Sequence, residues 1–367
     1  MKFSTNQKTI LPILQLISGV VEKKQTLPVL SHILLDIKEN VLTLSGTDLE
    51  LELEIQLKVE NAENGNSTVS ARKILDIVRA LNSTETINFS IKPDNKFLIQ
   101  SGKSRFSLSS LPPDDFPKTK VNDVITEFDI KSKVLSSLLD KTMFSMAMQD
   151  VRYYLNGVLL ETDGENINVI ATDGHRLAIA SVKQPIDFKG KNQIIIPRKT
   201  VVELTKFLNA CDEEIKIGIG KNHIFVKDCS NTMLSKLIDG RYPDYERVIP
   251  KDVDKTAILN KENLKNSLMR TAILSNEKYR GIRMKFSSGL VTISANNPEQ
   301  EEAYDEIEAN YAGDDIEIGF NVSYLLDAIN AITSENLRFI FKDANSSCII
   351  QNEEDEYPIY VVMPMRL

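Results

Sequence analysis

The sequence predicts an α+β protein made of three tandem copies of one domain. A period supports this prediction: the second helix of each round begins near residues 71, 197 and 321, at intervals of 126 and 124 residues. A strand-to-turn signal at 47, 172 and 296 repeats at intervals of 125 and 124 residues. The order within each round is helix, several short strands, helix and several more strands. This order predicts antiparallel sheets with the helices on one face, and each round has the form of a doubled half-unit.

The first round begins with apolar residues at helical spacing and continues with short strand-like runs. Its clearest strand lies at 49–58, where leucine and isoleucine alternate with charged or polar residues, so that one face is dry and the other wet. The elements predicted for this round are helix 7–21, strands 29–37, 41–45 and 49–58, helix 71–81, and strands 86–91, 96–101 and 104–109.

The second and third rounds repeat the pattern. The second is predicted to contain helix 131–147, strands 157–162, 166–171, 177–182 and 193–196, and helix 197–208. The third is predicted to contain helix 261–275, strands 282–287, 290–295, 303–309 and 316–320, and helix 321–333. The corresponding domains are 1–122, 123–252 and 253–367.

Composition narrows the class of protein. Of the 367 residues, 42% are hydrophobic and 26% are charged, which is ordinary for several packed domains in water. No run of eighteen apolar residues occurs, and the N-terminus lacks the apolar stretch of a signal peptide. The three cysteines, Cys211, Cys229 and Cys348, are scattered and show no metal-ligand spacing. We therefore expect a cytoplasmic protein with reduced thiols and without a transmembrane helix, a metal or a cofactor.

Charge is segregated along the sequence. The chain carries a net charge of −8, which taken whole argues against nucleic acid as a partner. The six helix windows nevertheless hold fifteen basic and six acidic residues, a net charge of +9 that leaves −17 for the remainder. Helices that share one surface would then attract a polyanion through its phosphates, with Arg72, Lys199, Lys206 and Lys265 as candidates. The alternative is that these charges lie on the wet faces of ordinary amphipathic helices.

One histidine suggests an enzyme instead. His175 follows Asp173 by two residues, and a histidine near a carboxylate is suited to general base catalysis in a hydrolase. The equivalent turns of the other rounds, Thr47-Asp48 and Asn296-Asn297, have no histidine, and an aspartate there is explained by local capping of a turn. The sequence also lacks a phosphate-binding glycine loop and a nucleophile elbow. No catalytic residue is therefore assigned, and the hydrolase stays an alternative.

Several stretches, taken in order and with the threefold period, resemble the bacterial sliding clamp family, the beta subunits of DNA polymerase III. The stretches are Gly46-Thr47-Asp48-Leu49-Glu50, Ser104-Arg105-Phe106-Ser107-Leu108-Ser109, Gln149-Asp150-Val151-Arg152-Tyr153-Tyr154-Leu155-Asn156-Gly157, Ala171-Thr172-Asp173-Gly174-His175-Arg176-Leu177, Ile273-Leu274-Ser275-Asn276-Glu277-Lys278, Ala295-Asn296-Asn297-Pro298-Glu299-Gln300-Glu301-Glu302 and Val361-Val362-Met363-Pro364-Met365-Arg366-Leu367. The resemblance covers essentially the whole chain. It implies clamp-type domains with sheets outside and helices inside, in a ring-shaped head-to-tail homodimer without catalytic activity.

The resemblance also implies the partners. Duplex DNA would pass through the ring and be contacted at its backbone without sequence specificity. The DNA contacts implied are Lys24, Lys73, Gln149, Tyr153 and Tyr154. Without the resemblance, the two tyrosines are better explained as a half-buried aromatic pair on a strand. A specialised clamp paralogue is a further alternative.

A seam between the first and third domains is implied to close the ring. The residues assigned to it are Lys103, Arg105, Phe106, Leu108, Ile273, Leu274, Glu299, Glu301 and Glu302. The basic members are expected to meet the acidic ones across the seam, and the alternative for Phe106 and Leu108 is an ordinary position in the core of their own domain.

The C-terminal stretch is apolar and contains two methionines, which suit a surface that accepts several partners. The resemblance implies a pocket there for short linear peptides of polymerase subunits, the clamp loader and repair proteins. The pocket residues implied are Leu155, Thr172, Gly174, His175, Arg176, Leu177, Pro243, Val248, Val361, Met363, Pro364, Met365 and Arg366.

Overall fold

The computed structural model describes residues 1–21, 27–119, 123–186, 190–211, 213–251 and 253–366. Lys24, one of the implied DNA contacts, lies outside the described residues. The described helices are α1 Gln7–Val20, α2 Ala71–Ala80, α3 Ser132–Asp140, α4 Arg198–Asn209, α5 Lys261–Thr271 and α6 Val322–Ala331. The predicted α+β class is confirmed, because all the paired strands of the described residues are antiparallel.

The strands divide among the three rounds. The first round contains β1 Lys2–Asn6, β2 His32–Lys38, β3 Val41–Thr47, β4 Leu51–Lys58, β5 Glu60–Glu63, β6 Gly65–Ser70, β7 Thr86–Ile91, β8 Lys96–Ser101 and β9 Ser104–Ser109. The second contains β10 Val124–Lys131, β11 Gly157–Thr162, β12 Asn166–Thr172, β13 Arg176–Lys183, β14 Asn192–Pro197, β15 Glu214–Gly220, β16 His223–Lys227 and β17 Thr232–Lys236. The third contains β18 Lys255–Asn260, β19 Gly281–Ser287, β20 Leu290–Asn296, β21 Glu302–Glu308, β22 Ile316–Asn321, β23 Asn336–Phe341, β24 Cys348–Asn352 and β25 Ile359–Val362.

Helices α1 and α5 each begin after an asparagine whose side chain caps them. Asn6 precedes α1, and its side-chain oxygen accepts a hydrogen bond from the Thr9 N–H at 3.0 Å. Asn260 caps α5 in the same way, with a distance of 3.1 Å to the Asn263 nitrogen. Each cap satisfies a backbone donor that has no partner within the helix.

Two predicted helices are shorter than expected. The helix predicted over 131–147 ends at Asp140, and the one predicted over 261–275 ends at Thr271, with short 3₁₀ turns following both. A threonine lies at each end: the Thr142 hydroxyl donates to the Leu138 carbonyl, and the Thr271 hydroxyl donates to the Ser267 carbonyl, both at 2.9 Å. Such back-bonding to a carbonyl four residues earlier disturbs helical propagation, which apolar spacing alone does not reveal.

The strand predicted from residue 29 begins later, at His32. Residues Pro28–Ser31 form a 3₁₀ turn instead, with proline at its first position. Proline has no N–H to donate to a strand ladder, so the turn is the better use of this segment.

The first compact unit comprises Met1–Ser136 and Lys199–Leu237. It contains a sheet in the order β5-β1-β7-β8-β9 and a second sheet in the order β10-β15-β16-β17-β4-β3-β2-β6. The second compact unit comprises Ser137–Arg198 and Ile238–Leu367. Its sheets have the orders β14-β11-β12-β13-β25-β24-β23-β18 and β21-β20-β19-β22.

These orders reveal a doubled half-unit in each round, as predicted. The orders β6-β2-β3-β4, β14-β11-β12-β13 and β22-β19-β20-β21 are equivalent, and so are β1-β7-β8-β9, β10-β15-β16-β17 and β18-β23-β24-β25. The last strand of one round pairs with a strand of the round before it: β17 pairs with β4, and β25 pairs with β13. Within the described residues, β9 pairs only with β8, and β21 only with β20. Each of these two strands therefore keeps one open edge.

Candidate functional site

The turn from Thr172 to Arg176 joins β12 to β13. Asp173 Oδ1 accepts hydrogen bonds from the backbone N–H groups of His175 and Arg176, at 2.9 and 3.1 Å. The Thr172 hydroxyl oxygen accepts from the Gly174 N–H at 3.0 Å, and Gly174 has a φ of +87°, which glycine adopts without strain. Asp173 is thus a turn-capping residue.

The first round builds its equivalent turn with the same bonds. Asp48 Oδ1 accepts from the N–H groups of Glu50 and Leu51 at 2.9 and 2.7 Å, and the Thr47 hydroxyl oxygen accepts from the Leu49 N–H at 3.0 Å. The explanation of Asp173 as a local cap, inferred from the repeat, is confirmed by this equivalence.

The Arg176 side chain lies at the centre of a dense set of contacts. Its guanidinium donates to Asp173 Oδ2 at 3.0 Å and to Asp327 Oδ2 at 2.5 Å. It also donates to the Phe144 carbonyl oxygen at 2.7 Å and lies over the Tyr324 ring, 4.5 Å from the centroid. Because only 12% of the arginine side chain is exposed, these contacts fix its position within the site.

His175 itself is exposed, and its ring stacks on Tyr324 with centroids 6.4 Å apart and an interplanar angle of 17°. Asp173 directs one oxygen to the turn and the other to Arg176. The pair proposed for a hydrolase is therefore used for a turn and an aromatic stack.

Apolar side chains form the floor beside this turn. Leu155, Leu177 and Val361 belong to one buried cluster, with Val248 and Tyr154 packed against it and partly buried. Leu177 and Val361 are partners in the β13–β25 ladder. The structure thus brings together implied pocket residues from three distant parts of the sequence.

The C-terminal tail continues along the same surface. The Met363 N–H donates to the His175 carbonyl oxygen at 3.0 Å, which holds the half-buried Met363 and Pro364 next to the turn. Pro243 is exposed beside the buried Tyr242 of the floor cluster. We call this surface, from Leu155 and the 172–177 turn to Met363, the apolar groove.

Met365 and Arg366 lie elsewhere. The Met365 N–H donates to the Gly319 carbonyl oxygen of β22 at 2.8 Å, and both residues line a cavity of the third round with Tyr279 and Arg283. The structure therefore places these two implied pocket residues beside the groove, in a separate depression.

The loop before β11 carries three of the implied DNA contacts. Gln149 is exposed with a φ of +57°, and Tyr153 is 57% exposed, with its ring 5.8 Å from that of Tyr154 in an edge-on arrangement. The interpretation of the tyrosines as an aromatic pair on a strand is wrong, because residues Tyr153–Leu155 form a 3₁₀ turn. Their exposure leaves one aromatic face available at the loop tip.

An ion pair that the site assignment missed orders this loop. Arg152 donates from Nε and Nη2 to the two carboxylate oxygens of Asp150, at 3.0 and 2.9 Å, and these hydrogen bonds lower the pKa of Asp150 to about 2. Arg152 also donates to the Asp173 carbonyl oxygen at 3.3 Å, linking the loop to the turn. The only sequence signal was the proximity of the two opposite charges.

The basic helix residues differ in their surroundings. Lys73 is exposed on α2, whereas Arg72 is exposed but lies 3.7 Å from Asp76. The structure gives Lys199, a candidate for polyanion binding, a different role. Its ammonium lies 2.5 Å from Asp48 Oδ2 and 2.8 Å from the Val20 carbonyl oxygen, so it links α4 to the first-round turn.

Lys206 is likewise paired, with Glu203 at 2.8 Å, whereas Lys265 is exposed on α5. The net charge of +9 already counts Asp76 and Glu203, so among these four candidates only the pairing of Lys199 with Asp48, outside the helix windows, lowers the cationic charge available to a polyanion.

Among the edge strands of the described sheets, β9 and β21 differ in charge. On β9, Phe106 and Leu108 are half-buried while Lys103 and Arg105, before and within the strand, are exposed. The two apolar residues are thus partly exposed in the single chain, and their assignment to the seam stays a prediction.

Beside β21, which carries four carboxylates and no basic residue, Ile273 is 76% exposed and Leu274 is half-buried. Glu299, Glu301 and Glu302 are exposed at the start of this edge. A basic, partly apolar edge and an acidic, partly apolar edge are thus both unpaired within the described residues.

No helix among the described residues is long and apolar enough to cross a membrane. Across the same residues, no group of three or more histidine, cysteine, aspartate or glutamate side chains could hold a metal ion.

Family models of the DNA polymerase III beta subunit match the chain in three consecutive parts. The N-terminal domain matches residues 1–120, the central domain 129–244 and the C-terminal domain 246–366. The chain belongs to the DNA polymerase III beta subunit family. This confirms the resemblance and the three tandem clamp domains, whereas the limits 1–122, 123–252 and 253–367 stay predictions.

Relatives within the family span the whole chain. The chain is 47% identical over 368 residues to a beta sliding clamp of Pseudomonas aeruginosa and 44% identical over 369 residues to that of Escherichia coli, with 100% of each chain covered. It is also similar to the crystal structure of the DNA polymerase III subunit beta from Pseudomonas aeruginosa, at a TM-score of 0.94 with 100% of both chains covered. A Caulobacter crescentus beta sliding clamp gives a TM-score of 0.95 at 33% identity, covering 100% of this chain and 99% of the other.

Proposed function

We propose that the chain is a DNA sliding clamp, which encircles duplex DNA and confers processivity on a replicative DNA polymerase without catalysing a reaction. The observation that supports this proposal is the way in which consecutive rounds pair: the last strand of one round pairs with a strand of the round before it. Since β17 pairs with β4 and β25 pairs with β13, the rule assigns β9 of one copy to β21 of another. An unpaired edge is a template for another chain, and two such pairings close two copies head to tail.

Charge supports the same closure. Lys103 and Arg105 belong to the β9 edge, and Glu299, Glu301 and Glu302 to the β21 edge, so the two edges attract each other while each edge repels its own kind. Phe106, Leu108, Ile273 and Leu274 would form the apolar part of this seam.

DNA contacts need only be weak in a protein that is linked to DNA topologically. We assign Lys73, Gln149, Tyr153 and Tyr154, together with Lys24, to contacts with the DNA backbone. Backbone contacts carry no sequence readout and weaken with salt, which permits sliding. We expect the protein to act in the cytoplasm, where a bacterial chromosome lies.

We assign the apolar groove to short linear peptides of polymerase subunits, the clamp loader and repair proteins. Its buried floor offers an apolar seat, and the flexible Met363 suits several different side chains. Pro243 and Pro364 complete the assigned pocket at its margins, and Met365 and Arg366, the last two implied pocket residues, line the adjacent cavity of the third round.

Retention on closed and opened DNA tests the proposal. The protein is loaded on a nicked circular plasmid by a clamp loader, the DNA is separated by gel filtration, and half of the sample is linearised. We expect retention on circles and loss from linear ends, because only a ring is held by topology. Equal retention on both forms would contradict the proposal, and blocking both DNA ends is expected to restore retention.

We expect Asp327→Asn to weaken peptide binding through Arg176. The substitution removes a charged partner of the guanidinium, 2.5 Å away, while keeping the side-chain shape. The exposed fraction of Asp327 is 41%, so we expect a loss of about threefold, on the order of 0.6 kcal/mol.

Fluorescence anisotropy of an apolar peptide measures this affinity, with Asp305→Asn as a control that removes the carboxylate paired with Arg270, outside the groove. An unchanged affinity in Asp327→Asn would show that Asp173 and the Phe144 carbonyl position Arg176 sufficiently.

A further inference from the structure

The third round contains a cavity of about 440 Å³ that the assigned function does not use. Tyr279 and Arg283 line it from β19 and the segment before it, and Asn296 and Pro298 line it from the turn after β20. The tail residues Met365 and Arg366 complete its wall.

This cavity is the third-round counterpart of the apolar groove. Three groove positions, Leu155, Thr172 and Gly174, recur 124 residues later as Tyr279, Asn296 and Pro298, and all three later residues line the cavity. The strand orders β14-β11-β12-β13 and β22-β19-β20-β21 show that the surrounding sheets are equivalent as well.

The first-round counterpart is closed. Thr47 and Leu49, at the equivalent turn, line a space of only about 10 Å³ together with His223 and Lys236. The third-round position therefore offers an open cavity where the first-round position does not.

The chemistry of the third position is polar where the groove is apolar. Leu155 is replaced by Tyr279, and Leu159 is replaced after the same interval by Arg283. Arg283 donates to Asn296 Oδ1 at 2.9 Å, and the carboxylate paired with it, on Glu317, lies 3.9 Å from its Nε.

Arg366 is exposed, and it makes no ion pair with another described residue. Lys278 lies outside the lining of the cavity, with its ammonium 5.3 Å from the centroid of the Tyr279 ring. A cavity with two guanidinium groups and amide donors is complementary to a carboxylate.

The tail connects the two sites. Met363 is bonded to the turn of the groove and Met365 to β22 beside the cavity, and they are two residues apart. Since an extended chain advances about 3.3 Å per residue, roughly two residues of a bound peptide would span this distance.

We propose that the cavity is a second subsite, which binds an aspartate or glutamate of a partner peptide whose apolar core lies in the groove. The inference rests on the proposed peptide binding and adds a preference for acidic flanking residues. A partner with such a flank would then outcompete one that offers the apolar core alone.

Four labelled peptides test this subsite. They share one apolar core of leucine and phenylalanine and carry either three aspartates or three asparagines, before or after the core. We expect the aspartate version of one of the two arrangements to bind the full-length protein roughly fivefold more tightly than its asparagine counterpart, with the difference shrinking as salt is raised.

Arg283→Gln is expected to abolish this difference without changing the affinity of the asparagine peptide. Lys285→Gln is the matched control: it removes the same charge two residues further along β19, where the lysine pairs with Asp315 at 2.9 Å outside the cavity lining. Circular dichroism and native mass verify that both variants remain folded.

Equal binding of aspartate and asparagine peptides to the unsubstituted protein would overturn the subsite. A parallel loss of both peptides in Arg283→Gln would also overturn it, since the arginine would then support the groove itself. If neither the aspartate nor the asparagine peptides bind the unsubstituted protein, the proposed peptide binding in the groove is contradicted, and the subsite with it. This result differs from equal binding, which would contradict the subsite alone.

Discussion

Ile273→Ala combined with Leu274→Ala is expected to leave the protein as a monomer of 41.3 kDa, where the unsubstituted chain sediments with twice that mass. Ile273 is 76% exposed in the single chain and adjoins the half-buried Leu274, so the two side chains offer apolar area that a second copy can bury. Removing both side chains deprives each seam of roughly 3 kcal/mol of apolar burial, a weakening on the order of a hundredfold per seam and on the order of ten-thousandfold for a dimer closed by two seams.

Sedimentation equilibrium measures the effect, and Met269→Ala provides the control. Met269 is also exposed, at 53%, on α5 of the same domain, but it is not assigned to the seam. We expect the control to remain a dimer. A dimer of undiminished strength in the double variant would show that the seam lies elsewhere, even if the protein still binds peptides.

The double variant is also expected to lose its retention on circular DNA. A monomer has a free β9 and a free β21 edge, so it cannot retain a circular plasmid. The double variant should therefore fail the retention test while keeping its affinity for peptides, because the groove lies within one chain.

Much of the fold was predictable because period and alternation are local properties. The strands predicted at 86–91, 96–101 and 104–109 agree with the bounds of β7, β8 and β9. Their buried and exposed residues alternate, so the alternation of apolar and polar residues along each strand predicts which side chains face the core. The ends of α3 and α5 were not predictable in this way, because apolar spacing does not record the back-bonds that Thr142 and Thr271 make there.

The contacts of the candidate site were less predictable, since its charged residues find partners far away in sequence. Lys199 pairs with Asp48, and Arg176 pairs with Asp327, each across 151 residues. The sequence did set Asp327 apart in one respect. Of the six helix windows, only the one that contains Asp327 has a net negative charge. The negative charge of this helix could be read from the sequence, but its role follows only from the contacts of α6 with Arg176 of the 172–177 turn.

Removing residues 363–367 is expected to lower the affinity for an apolar peptide more than tenfold, or by over 1.4 kcal/mol. The truncation must begin at Met363, because Val361 and Val362 are fully buried and pair with both β13 and β24. Cutting earlier would remove half of β25 and expose two strand edges, so lost binding would then reflect lost structure.

A shorter truncation, removing only residues 366 and 367, is the matched control. It keeps Met363 bonded to the His175 carbonyl and Met365 bonded to Gly319, so the apolar core of a peptide should bind with unchanged affinity. Because Arg366 lines the cavity, the preference for an acidic flank should fall in the same variant. Full affinity in the longer truncation would contradict the assignment of the tail to peptide binding, because the residues that remain, among them Leu155, Leu177 and Val361, would then account for all of the affinity.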